Sequence, residues 1–200
     1  MRYNTIDAIG KGEYKSRGSK FYSFIHPLRS SDEHKHLISI YRNQYPEACH
    51  VCSSYRLIVG SRLDEFSGDD GEPKGSAGTP ILNQLKRNNL INIGAYVVRI
   101  FGGSLLGIPG LIDSYSGSIL IAIDSINHIE WEEKETISFS LSYEYEGSLK
   151  SIINEFDAVI ISNRYSDKID TTVTIDSVNL DKFLQEIRNS SSGKIKVSNK

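Results

Sequence analysis

The sequence predicts an α+β protein of two domains, and three observations carry that expectation. The chain has 200 residues, 38% hydrophobic and 24% charged, which is more than one small domain needs and is the balance of a folded chain rather than a disordered one. Its first 130 residues hold β-rich stretches and helical patterns separated by two glycine-dense loops. Residues 134–200 follow a different rhythm, in which strand and helix patterns alternate in the order βαββαβ.

Taken in order, residues 3–28 carry β-favouring Tyr, Ile, Phe and Thr around the turn signal Ser16-Arg17-Gly18-Ser19, which predicts a hairpin ending near Pro27. Ser30, Ser31 or Asp32 caps a helix with Glu33 in its first turn, and Leu37, Ile40 and Tyr41 keep helical spacing until Pro46. A strand follows from His50 to Ile58. The polar loop Phe66–Pro80 then runs into a helix, for which Thr79 is the expected N-cap and Pro80 the first residue. The β-branched run Ile91–Phe101 reads as a strand covered on both faces. It stops at the second loop, Gly102–Gly110, after which Leu111, Tyr115, Ile119, Ala122 and Ile123 mark an amphipathic helix. The acidic stretch Glu130–Glu135 reads as a linker. Beyond it the pattern gives strand 136–143, helix 147–155, strands 157–165 and 170–176, helix 179–190 and strand 193–198, which is the ferredoxin-like unit.

Charge and composition narrow the function. With 23 basic and 25 acidic residues the net charge is −2, so no global field draws the chain onto nucleic acid or membrane. Residues 1–130 hold 14 basic and 13 acidic residues against 9 and 12 in residues 131–200, which makes the first domain the one to meet an anionic partner. Apolar runs are too short to span a bilayer, the start has no signal-peptide pattern, and two cysteines cannot form a disulfide framework. A cytoplasmic protein without a membrane partner is expected.

Several constellations are candidates for chemistry. Both glycine loops deliver a helix N-terminus, the arrangement by which backbone N–H groups and the helix dipole bind anions; Gly71, Lys74, Gly75, Ser76 and Gly78 belong to the first, and Gly102, Gly103 and Ser104 to the second. Neither loop has P-loop or dinucleotide-site spacing, and the same glycines also serve positive φ and close packing. Asp69, Asp70 and Glu72 suit a hard divalent cation, or alternatively cap N–H groups and pair with Arg99, Arg62 or Arg56. Cys49 and Cys52 form Cys-x-x-Cys, but on a strand and with no second pair they read as buried, inert thiols. His50 is a candidate base or a hydrogen-bonded rim histidine. Lys11, Lys15, Arg17 and Lys20, interleaved with Tyr14, Phe21 and Tyr22, make a basic ribbon able to track a phosphate backbone, unless those aromatics pack inward. No catalytic constellation and no cofactor motif is recognisable, so no cofactor is expected.

The string from Ser67 to Leu82, with Asp-Asp-Gly-Glu-Pro-Lys-Gly-Ser-Ala-Gly-Thr-Pro at its centre, and the string Arg99-Ile-Phe-Gly-Gly-Ser-Leu-Leu-Gly-Ile-Pro-Gly-Leu111 closely resemble the signature of the IMPACT family in its bacterial, YigZ-type form. Lys15–Phe21 and Ala48–Arg56 also resemble family segments, and the likeness covers residues 1–128. The resemblance implies a first domain (1–130) similar to the second domain of ribosomal protein S5. It implies a second (134–200) similar to the last domain of elongation factor G. It further implies a non-enzymatic role in translation control, with RNA, the ribosome or a translation-regulating protein as partner. Leu105, Asp113 and Ile100 depart from the family's lysine, arginine and tyrosine, which removes basic charge beside the second loop. The expected site is the groove between the two loops, with Arg99 adding charge and Lys15, Arg17 and Lys20 extending the track. A metal-dependent hydrolase or phosphotransferase built on Asp69, Asp70 and Glu72, with His50 as base, and a protein–protein adaptor are the alternatives.

Overall fold

The β-favouring start folds as two strands of a five-stranded antiparallel sheet in a computed structural model that describes residues 3–60 and 62–199. The outermost ends of the two expected domains, residues 1–2 and 200, lie outside the described residues. The chain folds as two units, Met1–Trp131 and Glu132–Lys200.

In the first unit the elements run β1 (Tyr3–Thr5), β2 (Gly10–Ser16), β3 (Ser19–Pro27), α1 (Ser31–Gln44), β4 (His50–Val59), β5 (Arg62–Gly68), α2 (Gly78–Arg87), β6 (Ile93–Ile100), α3 (Gly107–Asp124) and β7 (Ile129–Trp131). The sheet order is β2-β3-β6-β4-β5. The β2–β3 turn is Arg17-Gly18, with φ of 43° and 82°, and two successive positive φ values match the twist of a hairpin. Alternation sends Phe21, Ile25, Cys52, Ala95 and Val97 to one face, where Ile81, Leu85, Leu111, Tyr115, Ile119 and Ile123 of α2 and α3 cover them. Phe24, Val51, Tyr96 and Val98 point to the other face, under Tyr41 and Leu37 of α1. The central strand β6 is therefore buried on both sides from Ile93 to Arg99. Ser30 caps α1: its hydroxyl accepts from the Glu33 N–H (3.1 Å), and the Glu33 carboxylate accepts from the Arg29 N–H (2.8 Å).

Three details correct the sequence reading. Helix α2 starts at Gly78, so Thr79 is not its N-cap; the Asp69 carboxylate, nine residues upstream of Gly78, takes the free N–H groups instead. The linker expected at Glu130–Glu135 is shorter, because β7 pairs with β1 up to Trp131, opposite Tyr3, and β8 begins at Lys134, which leaves residues 132–133 where the chain passes from one unit to the next. Edge strand β5 occupies residues 62–68, three of which the sequence assigned to the loop.

The second unit runs β8 (Lys134–Leu141), α4 (Glu146–Glu155), β9 (Val159–Tyr165), β10 (Ile169–Asp176), α5 (Leu180–Ser190) and β11 (Lys196–Asn199). Its antiparallel sheet has the order β11-β8-β10-β9, which is ferredoxin-like. Ile137, Phe139 and Leu141 alternate with Ser138 and Ser140, and Leu149, Ile153, Phe183 and Ile187 of the two helices cover the apolar side. No helix among the described residues is long and apolar enough to cross a membrane.

Candidate functional site

Arg99 is the last buried residue of β6, flanked across the sheet by Phe21 of β3 and His50 of β4. Strand alternation points all three toward the α2–α3 face, and Arg99 is only 6% exposed. A guanidinium so deeply buried needs a counter-charge, and the first glycine loop brings one: Arg99 Nη1 donates to Glu72 Oε1 at 2.5 Å. The Tyr115 hydroxyl of α3 donates to the same oxygen at 2.8 Å. Burial raises the Tyr115 pKa, and the neighbouring Cys52 and Glu72 raise it further, so the phenol stays protonated as a donor. His50 Nδ1 lies 2.7 Å from the Asp70 carbonyl, and since a carbonyl only accepts, Nδ1 carries the proton. The remaining ring nitrogen, Nε2, sits 3.9 Å from Glu72 Oε1.

Above this polar floor opens a cleft of about 390 Å³, lined by Pro73 of the first loop and by Phe101, Leu105, Leu106, Ile108 and Leu111 of the second loop and α3. It lies in the groove expected between the two loops, but its walls are apolar. Leu105 is 84% exposed at the lip. The Arg99 Cζ is 5.7 Å from the ring centroids of both Phe21, which is buried, and Phe101, which is exposed. Arg99 Nε is buried and has no hydrogen-bond partner.

The first loop is ordered from within. Asp69 accepts from the N–H groups of Gly75 (2.7 Å), Ala77 (3.1 Å) and Gly78 (2.8 Å). Of the loop N–H groups expected to receive an external anion, those of Gly75 and Gly78 are thus already bonded, as is that of Ser76, which donates to the Pro73 carbonyl (3.0 Å), and this corrects the sequence reading at those three positions. Asp70 accepts from the Val51 N–H (2.6 Å) and pairs with Arg42, and the Ser76 hydroxyl donates to the Pro73 carbonyl (2.6 Å). Gly71, at φ 89°, passes close to the His50 ring, and a Cβ on Gly78 would meet the backbone of Gly68 at 2.6 Å. Asp69, Asp70 and Glu72 therefore turn to three separate sets of partners. Among the described residues no group of three or more His, Cys, Asp or Glu is placed to hold a metal ion.

The second loop is more open. Gly102 donates its N–H to the Ser19 hydroxyl (3.1 Å), and a Cβ there would strike the Gly18 backbone at 1.9 Å, so the loop lies directly on the β2–β3 turn. Gly103 and Ser104 are exposed, and no side chain caps the first turn of α3. Of the hairpin cations, Lys15 pairs with Glu13 at 3.1 Å. Arg17, Lys20 and Lys74 are exposed and have no ion-pair partner among the described residues. Phe21 and Tyr14 pack into the core side, and Tyr22 stacks on Tyr45 at 5.4 Å between centroids, so the hairpin aromatics are not free to stack on bases. The two cysteines also divide: Cys52 is buried, its thiol pKa raised by burial and its Sγ 3.3 Å from the Tyr115 hydroxyl, whereas Cys49 is exposed at the cleft, against the expectation of two buried thiols. Sequence reasoning missed Tyr115 and Phe101 as site residues. Tyr115 lay within an apolar helical stripe and Phe101 at the end of an apolar strand run, where each reads as core.

Comparison with known proteins agrees with this architecture. Residues 17–123 match the Impact N-terminal domain, and residues 139–194 match a domain of unknown function, DUF1949. The chain is 27% identical over 192 residues to the IMPACT family member YvyE of Bacillus subtilis strain 168, covering 96% of this chain and 88% of that one. It is 26% identical over 183 residues to the IMPACT family member YigZ of Escherichia coli strain K12, covering 90% and 88%. A crystal structure of a hypothetical protein superposes with a TM-score of 0.74 at 23% identity, covering 100% of this chain and 97% of that one.

Proposed function

The chain belongs to the IMPACT family, and from that premise we propose that it is a non-enzymatic regulatory protein of translation that binds RNA through its first unit. The observation that carries the reading is the seating of the β2–β3 turn against Gly102. It sets Arg17 beside the second loop, while Lys74 follows Pro73 on the opposite wall of the cleft and Lys20, opposite Ile100, lies on the other face of the sheet. These three cations have no carboxylate partner among the described residues, and the uncapped first turn of α3 adds the positive end of a helix dipole. The engagement of Asp69, Asp70 and Glu72 by N–H groups, arginines and Tyr115 favours binding over metal-assisted hydrolysis.

Fluorescence anisotropy with labelled single-stranded RNA at low salt tests the reading. The expected result is binding that weakens as salt rises and falls when Arg17, Lys20 and Lys74 are together replaced by alanine. No binding at low salt, or binding indifferent to that triple substitution, overturns it.

A further inference from the structure

We infer that the cleft accepts a single unstacked RNA base, its flat face against Phe101 and its polar edge turned to Arg99 Nε and His50 Nε2; the inference rests on the RNA-binding reading and specifies its ligand. Arg99 Nε is a buried donor without a partner, on a side chain that lines the cleft. Such a group is costly to leave unmade, so its position calls for an acceptor. His50 holds its Nδ1 proton on the Asp70 carbonyl, which leaves Nε2 as an acceptor at the same floor. A donor and an acceptor on side chains from paired positions of neighbouring strands, both lining one cleft walled by Pro73, Leu106 and Leu111, fit a flat neutral ring with a carbonyl next to an N–H. A phosphate fits that interior poorly, since Glu72 already meets the Arg99 charge and the walls are apolar. Phe101, 44% exposed at the rim, offers the stacking surface that single-stranded recognition uses; Lys74 follows Pro73 on one wall, and Arg17 sits in the turn seated on Gly102 beside the other.

The test compares labelled oligouridine of about eight nucleotides, a length within the range single-strand sites cover, with an abasic ribose-phosphate oligomer of equal length. Both are titrated against the full chain and its Phe101→Ala and Phe101→Trp variants. Oligouridine should bind the parent roughly tenfold more tightly than Phe101→Ala, the size of one lost stacking contact. The abasic oligomer should bind parent and Phe101→Ala alike, at the weaker level. Phe101→Trp should retain oligouridine affinity, and its added fluorescence should be quenched by oligouridine but not by the abasic oligomer. Equal binding of both oligomers by the parent, or unchanged oligouridine binding by Phe101→Ala, overturns the base site while RNA binding stands. Failure of both oligomers to bind overturns the base site and the RNA-binding reading together.

Discussion

The ion pair between Arg99 and Glu72 is buried at both ends, with side chains 7% and 3% exposed, and removing one partner strands a charge out of water. Glu72→Ala should therefore destabilise the first unit by about 3–5 kcal/mol, whereas Glu72→Leu with Arg99→Met should recover much of that loss. Urea denaturation of the three proteins checks both expectations. On the opposite face of the sheet His34 is 3% exposed, its Nδ1 2.8 Å from the Tyr96 hydroxyl and its Nε2 3.3 Å from the Ser53 hydroxyl. Burial lowers its pKa from 6.5 to about 4. Above pH 6.5 the ring is neutral in folded and unfolded chains alike, and the full stability is present. As pH falls toward 4 the unfolded chain takes up the proton while the folded one does not, so stability drops, by roughly 3 kcal/mol in all. Urea midpoints measured between pH 7 and pH 4 should fall accordingly, and His34→Gln should flatten that part of the profile.

Loop and helix act as one element around Asp69. Its carboxylate serves three N–H groups, two of them at the start of α2, so Asp69→Ala leaves the loop and the helix end unsatisfied together. A loss of about 2 kcal/mol or more in urea denaturation is expected, the size of a charge-assisted bond. That cap was not legible in the sequence, because capping rules look to the residue next to the helix and Asp69 lies nine positions before Gly78. The pairing of Glu72 with Arg99 was equally hidden, since their 27-position separation obeys no helical or strand period. Strand β5 escaped because Arg62, Asp64, Glu65, Phe66 and Ser67 are all exposed on an edge and carry no alternation. The elements that periodicity did reveal are those with one face sealed, such as α3, where Leu111, Tyr115, Ile119 and Ile123 are all buried, and β8. The groove between the loops was legible from two glycine strings flanking one strand. Its apolar character was visible only in the leucines and isoleucine of the second string, Leu105, Leu106 and Ile108, which read as ordinary loop and helix residues.

For the whole molecule, a net charge of −2 means that no long-range field supplies affinity, so any RNA binding must be set by a few local cations. Arg17, Lys20 and Lys74 are exposed and without an ion-pair partner among the described residues, whereas Lys15 is held by Glu13. Three phosphate contacts to a single strand predict a slope of log affinity against log salt of about −2, far shallower than that of a strongly basic binding protein. Lys20→Ala should lower affinity and flatten that slope by about 0.7, the share of one contact. Phe101→Ala should lower affinity and leave the slope unchanged, because stacking releases no counterions. Anisotropy titrations across a salt series separate the two behaviours. A steep slope, or one that Lys20→Ala does not alter, would move the contact surface away from the hairpin and the loops that roof the cleft.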